Sequence, residues 1–300
     1  MTDATSEMAK IAAESIFVSA SDGLRLHMRT YGHSSSGRRP VVCLPGLTRT
    51  EADFEMLARH LASHPVNPSR VLALDYRGRG QSAYDPEWRN YNLGVELDDV
   101  CTVLSSLGVD RAVFVGTSRG GLITMLLAAT RPDMIAGAVL NDIGPVIESA
   151  GLMRIKGYVG QPDRPMDHAD GARRLRELFG LQFPKLSDAE WLAWSQRAYA
   201  TGVDGLTARY DPRLAHTLED VTLDTPLPAL WPQFDALAKA APVMVIRGAL
   251  TDILSSQTVT TMREHRPDMQ LIEVPDQGHA PLLDDSETIA KISRFVAACD

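Results

Sequence analysis

Ser118 stands in the string Gly116-Thr117-Ser118-Arg119-Gly120, directly after the apolar run 112–115 and directly before the apolar stretch 121–129. Strand, tight glycine-flanked turn and helix is the setting in which a G-x-S-x-G pattern presents a nucleophilic serine. Such a corner needs neighbours with little or no side chain, so that backbone can approach closely. It also sets the backbone N–H of the next residue at a helix N-terminus, where negative charge is favoured. Serine is a poor nucleophile until a base takes its proton and a third group orients that base.

Among the eight histidines, His279 has the setting of such a base. It lies in the turn Pro275-Asp276-Gln277-Gly278-His279-Ala280-Pro281, between the apolar run 271–274 and a closing helical pattern. Imidazole suits the task because its unperturbed pKa lies near working pH. The others, His27, His33, His60, His64, His168, His216 and His265, read as solvated or structural. Two acids compete for the third place. Asp252 follows the apolar run 243–246, and Asp142 follows the run 135–140. Both emerge at the carboxyl end of a strand. Asp252 is preferred, since it keeps the order serine, acid, histidine with the acid after the next-to-last strand. Asp142 would instead tie down the segment that follows it. An oxyanion needs two donors. The Arg119 N–H supplies one, and the Leu47 N–H, in the Pro45-Gly46-Leu47 loop after the run 41–44, is nominated for the other.

The elements that must carry these groups alternate along the chain. Runs 16–20 and 24–30 read as an opening hairpin across Ser21-Asp22-Gly23. Strand-length apolar runs at 41–44, 71–74, 112–115, 135–140, 243–246 and 271–274 then alternate with helical patterns at 51–63, 95–107, 121–129 and 287–298. Strands buried on both faces and joined by helices imply a mostly parallel sheet with right-handed crossovers. From about 146 to 234 no strand is evident, and Trp191, Trp194 and Trp231 fall here. This reads as helices inserted over the carboxyl edge of the sheet, where open α/β sheets bind ligands. The core is thus expected at 1–145 and 235–300, with a helical cap at 146–234. Trp191 and Trp194 share a helical face and read as packing.

With 300 residues, 44% hydrophobic and 23% charged, the chain can fill a sizeable core, and its net charge of −8 disfavours nucleic acid or an anionic membrane as a partner. Of the three cysteines, Cys43 and Cys101 read as buried thiols and Cys299 as exposed near the chain end. The first fifteen residues lack the pattern of a secretory signal, and no apolar run approaches the length of a membrane span. A cytoplasmic protein is expected. No side-chain cluster has metal-ligand spacing, and Asp98-Asp99 and Asp284-Asp285 read as solvated.

With these motifs the chain resembles the α/β-hydrolase superfamily, specifically its cap-bearing members with a Ser-acid-His triad. Matching segments run in family order: LPGLT at 44–48, DYRGRGQS at 75–82, GTSRG at 116–120, GALTD at 248–252 and DQGHAP at 276–281. The resemblance implies the α/β-hydrolase fold and a structural role for Asp75, Arg77 and Ser82. It also implies a cofactor-free serine hydrolase acting on a small carboxylic ester or lactone through an acyl-enzyme on Ser118. Cleavage of a carbon–carbon bond in a vinylogous diketone acid, and a binding protein without turnover, are the alternatives. Two departures stand out. Pro45-Gly46 replaces the usual His-Gly, and Arg119 stands where relatives carry Met, Leu or Gln. An arginine there resembles the carboxylate clamp of the fluoroacetate-cleaving branch. Arg119, with Arg49, is therefore expected to bind a carboxylate-bearing substrate, against the alternative that Arg119 pairs with a core or cap carboxylate and Arg49 lies on the surface.

Overall fold

A computed structural model describes residues 11–33, 37–161, 165–224 and 227–299, so the leader reading for residues 1–10 lies outside it. The opening hairpin forms as β1 (Ala13–Ser19) and β2 (Arg25–Tyr31), antiparallel to each other. β2 pairs antiparallel with β4 (Val71–Asp75). Beyond it run β3 (Val41–Leu44), β5 (Ala112–Thr117), β6 (Ile135–Asn141), β9 (Val243–Gly248) and β10 (Gln270–Val274), all parallel to their neighbours. The sheet order is β1-β2-β4-β3-β5-β6-β9-β10. The central strands β3 to β6 are buried almost throughout, which explains their unbroken apolar runs.

Both faces of the sheet are covered. α1 (Glu55–Ala62) and α9 (Ser286–Ala298) pack on one side, burying Leu57, Leu61, Ile292 and Phe295 with the sheet residues Val113 and Val139. α2 (Leu93–Ser106) and α3 (Arg119–Thr130) lie in the other layer, with Val100, Leu104, Ile123 and Leu127 against Phe114 and Leu140. α8 (Ser256–His265) begins after β9, with Ser255 as its cap.

Part of the chain between β6 and β9 lies over the carboxyl edge, where Tyr158, Phe179 and Trp194 line the cavity above Ser118. α4 (Ser149–Tyr158), α5 (His168–Phe179) and α6 (Asp188–Ala198) are helical as expected. The absence of strands is corrected: β7 (Tyr199–Gly202) and β8 (Gly205–Ala208) form a two-stranded hairpin. Val203 and Asp204 make the turn, and Gly205, at φ +108°, opens β8 opposite Gly202, so two glycines flanking a two-residue turn mark a hairpin within a helical stretch. α7 (Trp231–Ala240) packs on α3 in the core layer, which puts Trp231 with the core rather than in the 146–234 insertion.

Other expectations change as well. Cys299 is buried and sits under Gly137, because α9 docks its last turn onto β6. Cys101 is only partly buried. Asp99 is buried, not solvated: it accepts two bonds of 2.7 Å from Arg77, itself buried beside Asp85. Among the described residues no helix is long and apolar enough to cross a membrane.

Candidate active site

The 112–121 segment turns from β5 into α3 at Ser118, whose φ of 50° and ψ of −112° lie in a region that residues with a Cβ rarely adopt. Close packing makes the corner possible. A Cβ at Gly120 would run into the Leu44 carbonyl, and one at Gly116 would stand 2.5 Å from the Gly120 carbonyl carbon. The chain therefore needs glycine at both places, and the strained serine is held between β3 and the first turn of α3. Arg119 is the first residue of α3, so its N–H has no partner four residues back within the helix.

His279 and Ser118 come together: Nε2 lies 2.8 Å from the Ser118 Oγ. The acid on the far side is Asp142. Its Oδ2 is 2.8 Å from His279 Nδ1, and the carboxylate is inaccessible to solvent. Asp142 also accepts the Gly248 N–H at 2.8 Å and the Thr251 hydroxyl at 2.5 Å. The Gly248 N–H fixes the far oxygen Oδ1, and the Thr251 hydroxyl shares Oδ2 with the imidazole. The β6 end is pinned in turn by Asn141, whose Nδ2 donates to the Pro281 carbonyl at 2.9 Å.

Asp252, preferred from the sequence, is not bonded to His279. Arg154 of α4 grips both of its oxygens, at 2.6 and 2.9 Å. Burial alone would raise its pKa, but the guanidinium outweighs burial and holds the carboxyl below the usual range. Asp252 thus ties the inserted helices to the core. Nearby, the Glu148 N–H donates to the Ile253 carbonyl and Gly151 packs on the Asp252 backbone, so α4 docks on this loop as a unit.

The side chain of Arg119 also departs from expectation. Its Nε lies 2.5 Å from Glu96 Oε2 and its Nη2 3.1 Å from the Tyr91 carbonyl, so it turns into the core. Glu96 is fully buried between Arg119 and Arg79. Burial pushes its pKa up, yet the two guanidinium groups overcome that and keep it below its ordinary value. Arg79 in turn donates to the Leu47 carbonyl at 2.8 Å, so this buried network fixes the loop that carries the nominated Leu47 N–H.

Arg49 does line the cavity above Ser118, together with Leu47, Tyr158, Phe179, Trp194 and His279. It pairs with Asp53 at 2.6 Å and lies 4.7 Å over the Trp194 ring. Trp191 and Trp194 stack at 5.3 Å, so Trp194 serves packing and the cavity wall at once.

A second serine has similar bonds. His27 joins Ser15 at 3.0 Å and Asp75 at 2.7 Å across the strands β1, β2 and β4. Ser15, however, is in the ordinary strand β1, without the elbow that supplies an exposed oxyanion donor. Asp75 also accepts the Glu51 and Gln81 N–H groups, and so braces the turns behind the Leu47 loop. Glu51 is buried, and burial first and Asp75 second push its pKa up to about 7. Between its ordinary 4.5 and about 7, the folded chain binds more protons here than the unfolded chain. Stability contributed by this group is therefore lost as pH rises through that window. Glu51→Gln is expected to flatten the slope and to gain on the order of 2 kcal/mol near pH 8. Urea unfolding at about pH 5 and about pH 8 checks this; an unaltered slope would refute it.

Residues 41–292 match the profile of the Alpha/beta hydrolase family. The chain belongs to this family. Among its relatives, the 3-hydroxybutyrate-oligomer hydrolase of Cupriavidus necator is 32% identical over 93% of this chain and 96% of its own length. The 2-(acetamidomethylene)succinate hydrolase of Mesorhizobium japonicum is 23% identical over 84% of this chain and 86% of its own length. An α/β hydrolase from Novosphingobium aromaticivorans, known by crystal structure, is 44% identical and superposes with a TM-score of 0.87 over 95% of this chain and 98% of that one. This α/β hydrolase thus shares its sheet and helical layers along nearly the full length of a solved member.

Proposed function

We propose that this α/β hydrolase is a serine esterase that cleaves short ester-linked hydroxy-acid chains. The observation that carries the reading is the continuous relay Ser118–His279–Asp142, with both contacts at 2.8 Å, at the floor of a cavity. His279 Nε2 takes the Ser118 proton as Oγ attacks the ester carbonyl. Asp142 holds the imidazole tautomer with Nδ1–H toward itself and stabilises the imidazolium. The Leu47 and Arg119 N–H groups receive the oxyanion, favoured by the α3 N-terminus. Collapse expels the alcohol, which takes the proton from His279, and leaves an acyl-enzyme. Water, deprotonated by the same histidine, then releases the acid.

The hydroxy-acid class rests on the likeness to the Cupriavidus enzyme and on Arg49, a cation on the cavity wall suited to a substrate carboxylate. The carbon–carbon alternative rests on cationic pocket side chains; of the two named, Arg119 is committed to Glu96 and Arg49 remains on the cavity wall. In the experiment, purified protein is assayed on p-nitrophenyl acetate and on linear 3-hydroxybutyrate dimers. Ser118→Ala should lower kcat by about a millionfold, as expected for loss of an acyl-transfer nucleophile. A fluorophosphonate should label Ser118 and not Ser15. Ester turnover that survives Ser118→Ala would overturn the reading.

A further inference from the structure

The cavity over Ser118 encloses about 70 Å³. A second cavity, about 80 Å³, lies among the inserted helices, between α5 and the β7–β8 hairpin. The two share the wall residues Thr48, Arg49, Tyr158 and Phe179. Past that partition the second cavity is bounded by Leu175 and Leu178 of α5 and by Ala208 of β8, with Tyr199 and Arg174 adding polar groups. None of these five lines the first cavity. The second cavity's lining combines apolar side chains with hydrogen-bonding ones. That mixture suits a chain whose methylene and methyl groups alternate with ester carbonyls, since the carbonyls need donors once they leave water.

We infer that the second cavity is a substrate subsite for the unit beyond the scissile bond of an ester-linked hydroxy-acid chain, with Arg49 at the junction selecting chain length. The inference rests on the ester-hydrolase reading above. On the floor of the first cavity stand Ser118, His279 and the Leu47 loop, so a bound chain longer than one unit must continue away from them. The partition marks a route. Phe179 and Tyr158 make edge-to-face contact at 5.1 Å and form one side of it. Arg49, stacked on Trp194 and tethered by Asp53, forms the other. A guanidinium held there meets a terminal carboxylate when the chain is short and an ester carbonyl when it runs on.

The test compares kcat/KM for p-nitrophenyl acetate, which needs only the first cavity, with kcat/KM for the linear dimer and trimer of a 3-hydroxy acid. Ala208→Phe fills the second cavity, and the trimer-to-acetate ratio is expected to fall at least tenfold. Leu178→Ala enlarges it, and the ratio is expected to rise. Because acetate turnover counts folded active sites, a variant that misfolds loses both activities together and leaves the ratio readable on the surviving fraction. Ratios that stay within twofold of the parent in both variants would overturn the subsite while leaving the esterase reading intact. A parent that turns over no ester at all would overturn the esterase reading, and the subsite with it.

Discussion

Asp142→Asn is expected to lower kcat about ten-thousandfold on any ester that the protein cleaves, whereas Asp252→Asn lowers it less than tenfold. An amide at 142 would favour the wrong imidazole tautomer and could not stabilise the imidazolium, and losses of that order follow when a triad acid is neutralised. Asp142 is also poised by other means. Its carboxylate is out of water and receives the Gly248 N–H and the Thr251 hydroxyl besides His279. An Asn keeps the shape but sets an NH₂ against one of these donors, so some loss of stability should accompany the loss of rate. Asp252→Asn acts elsewhere. It weakens a bidentate ion pair with Arg154 that is partly open to solvent, at 25% and 31% side-chain exposure. Screening limits the worth of such a pair, and the expected signs are a lower Tm and a modest change in KM. Steady-state kinetics of both variants decide between the acids. A collapse of kcat in Asp252→Asn with little effect in Asp142→Asn would reverse the assignment.

The second large effect is expected from Arg119→Met, and it is on stability. Glu96 has no exposed side-chain surface and is flanked by Arg79 and Arg119. Removing one of those cations leaves a buried carboxylate undercompensated, at a cost of about 3 kcal/mol or more. The relative rates on neutral and carboxylate-bearing esters should not change, because the Arg119 side chain points into the core while only its N–H faces Ser118. Equilibrium unfolding in urea measures the first effect, and a matched pair of esters measures the second. A specific loss on the acidic ester with unchanged stability would restore the clamp that the sequence suggested.

What the sequence made legible depends on how local each signal is. Ser118 and His279 announce themselves because the glycines and turns around them are required by backbone geometry within a few residues. The choice between Asp142 and Asp252 has no such local mark. Both follow buried parallel strands, and Arg154, which claims Asp252, comes from a helix 98 residues earlier in the chain. Arg119 was read by its position in the elbow, yet its partner Glu96 sits 23 residues away on α2, at a spot where an acid looks like ordinary helix surface. The same holds for Asp99, whose burial is decided by Arg77. The β7–β8 hairpin did carry a signal, the glycines Gly202 and Gly205 on either side of its turn. Its four-residue strands were too short to break the helical pattern on either side.

Ser118 and Asp142 both belong to one β-α-β crossover, the β5–α3–β6 unit, on adjacent strands in register from Thr117 to Asn141. The proposed nucleophile and its proposed acid are therefore carried by one local piece of chain. Of the proposed triad, His279 alone arrives from far away, on the loop before α9, where the Asn141 amide catches the Pro281 carbonyl. The proposed triad thus has a single distant joint. Opening of that loop would silence the enzyme with its elbow still standing, and hydrogen exchange should find the two parts protected to different depths.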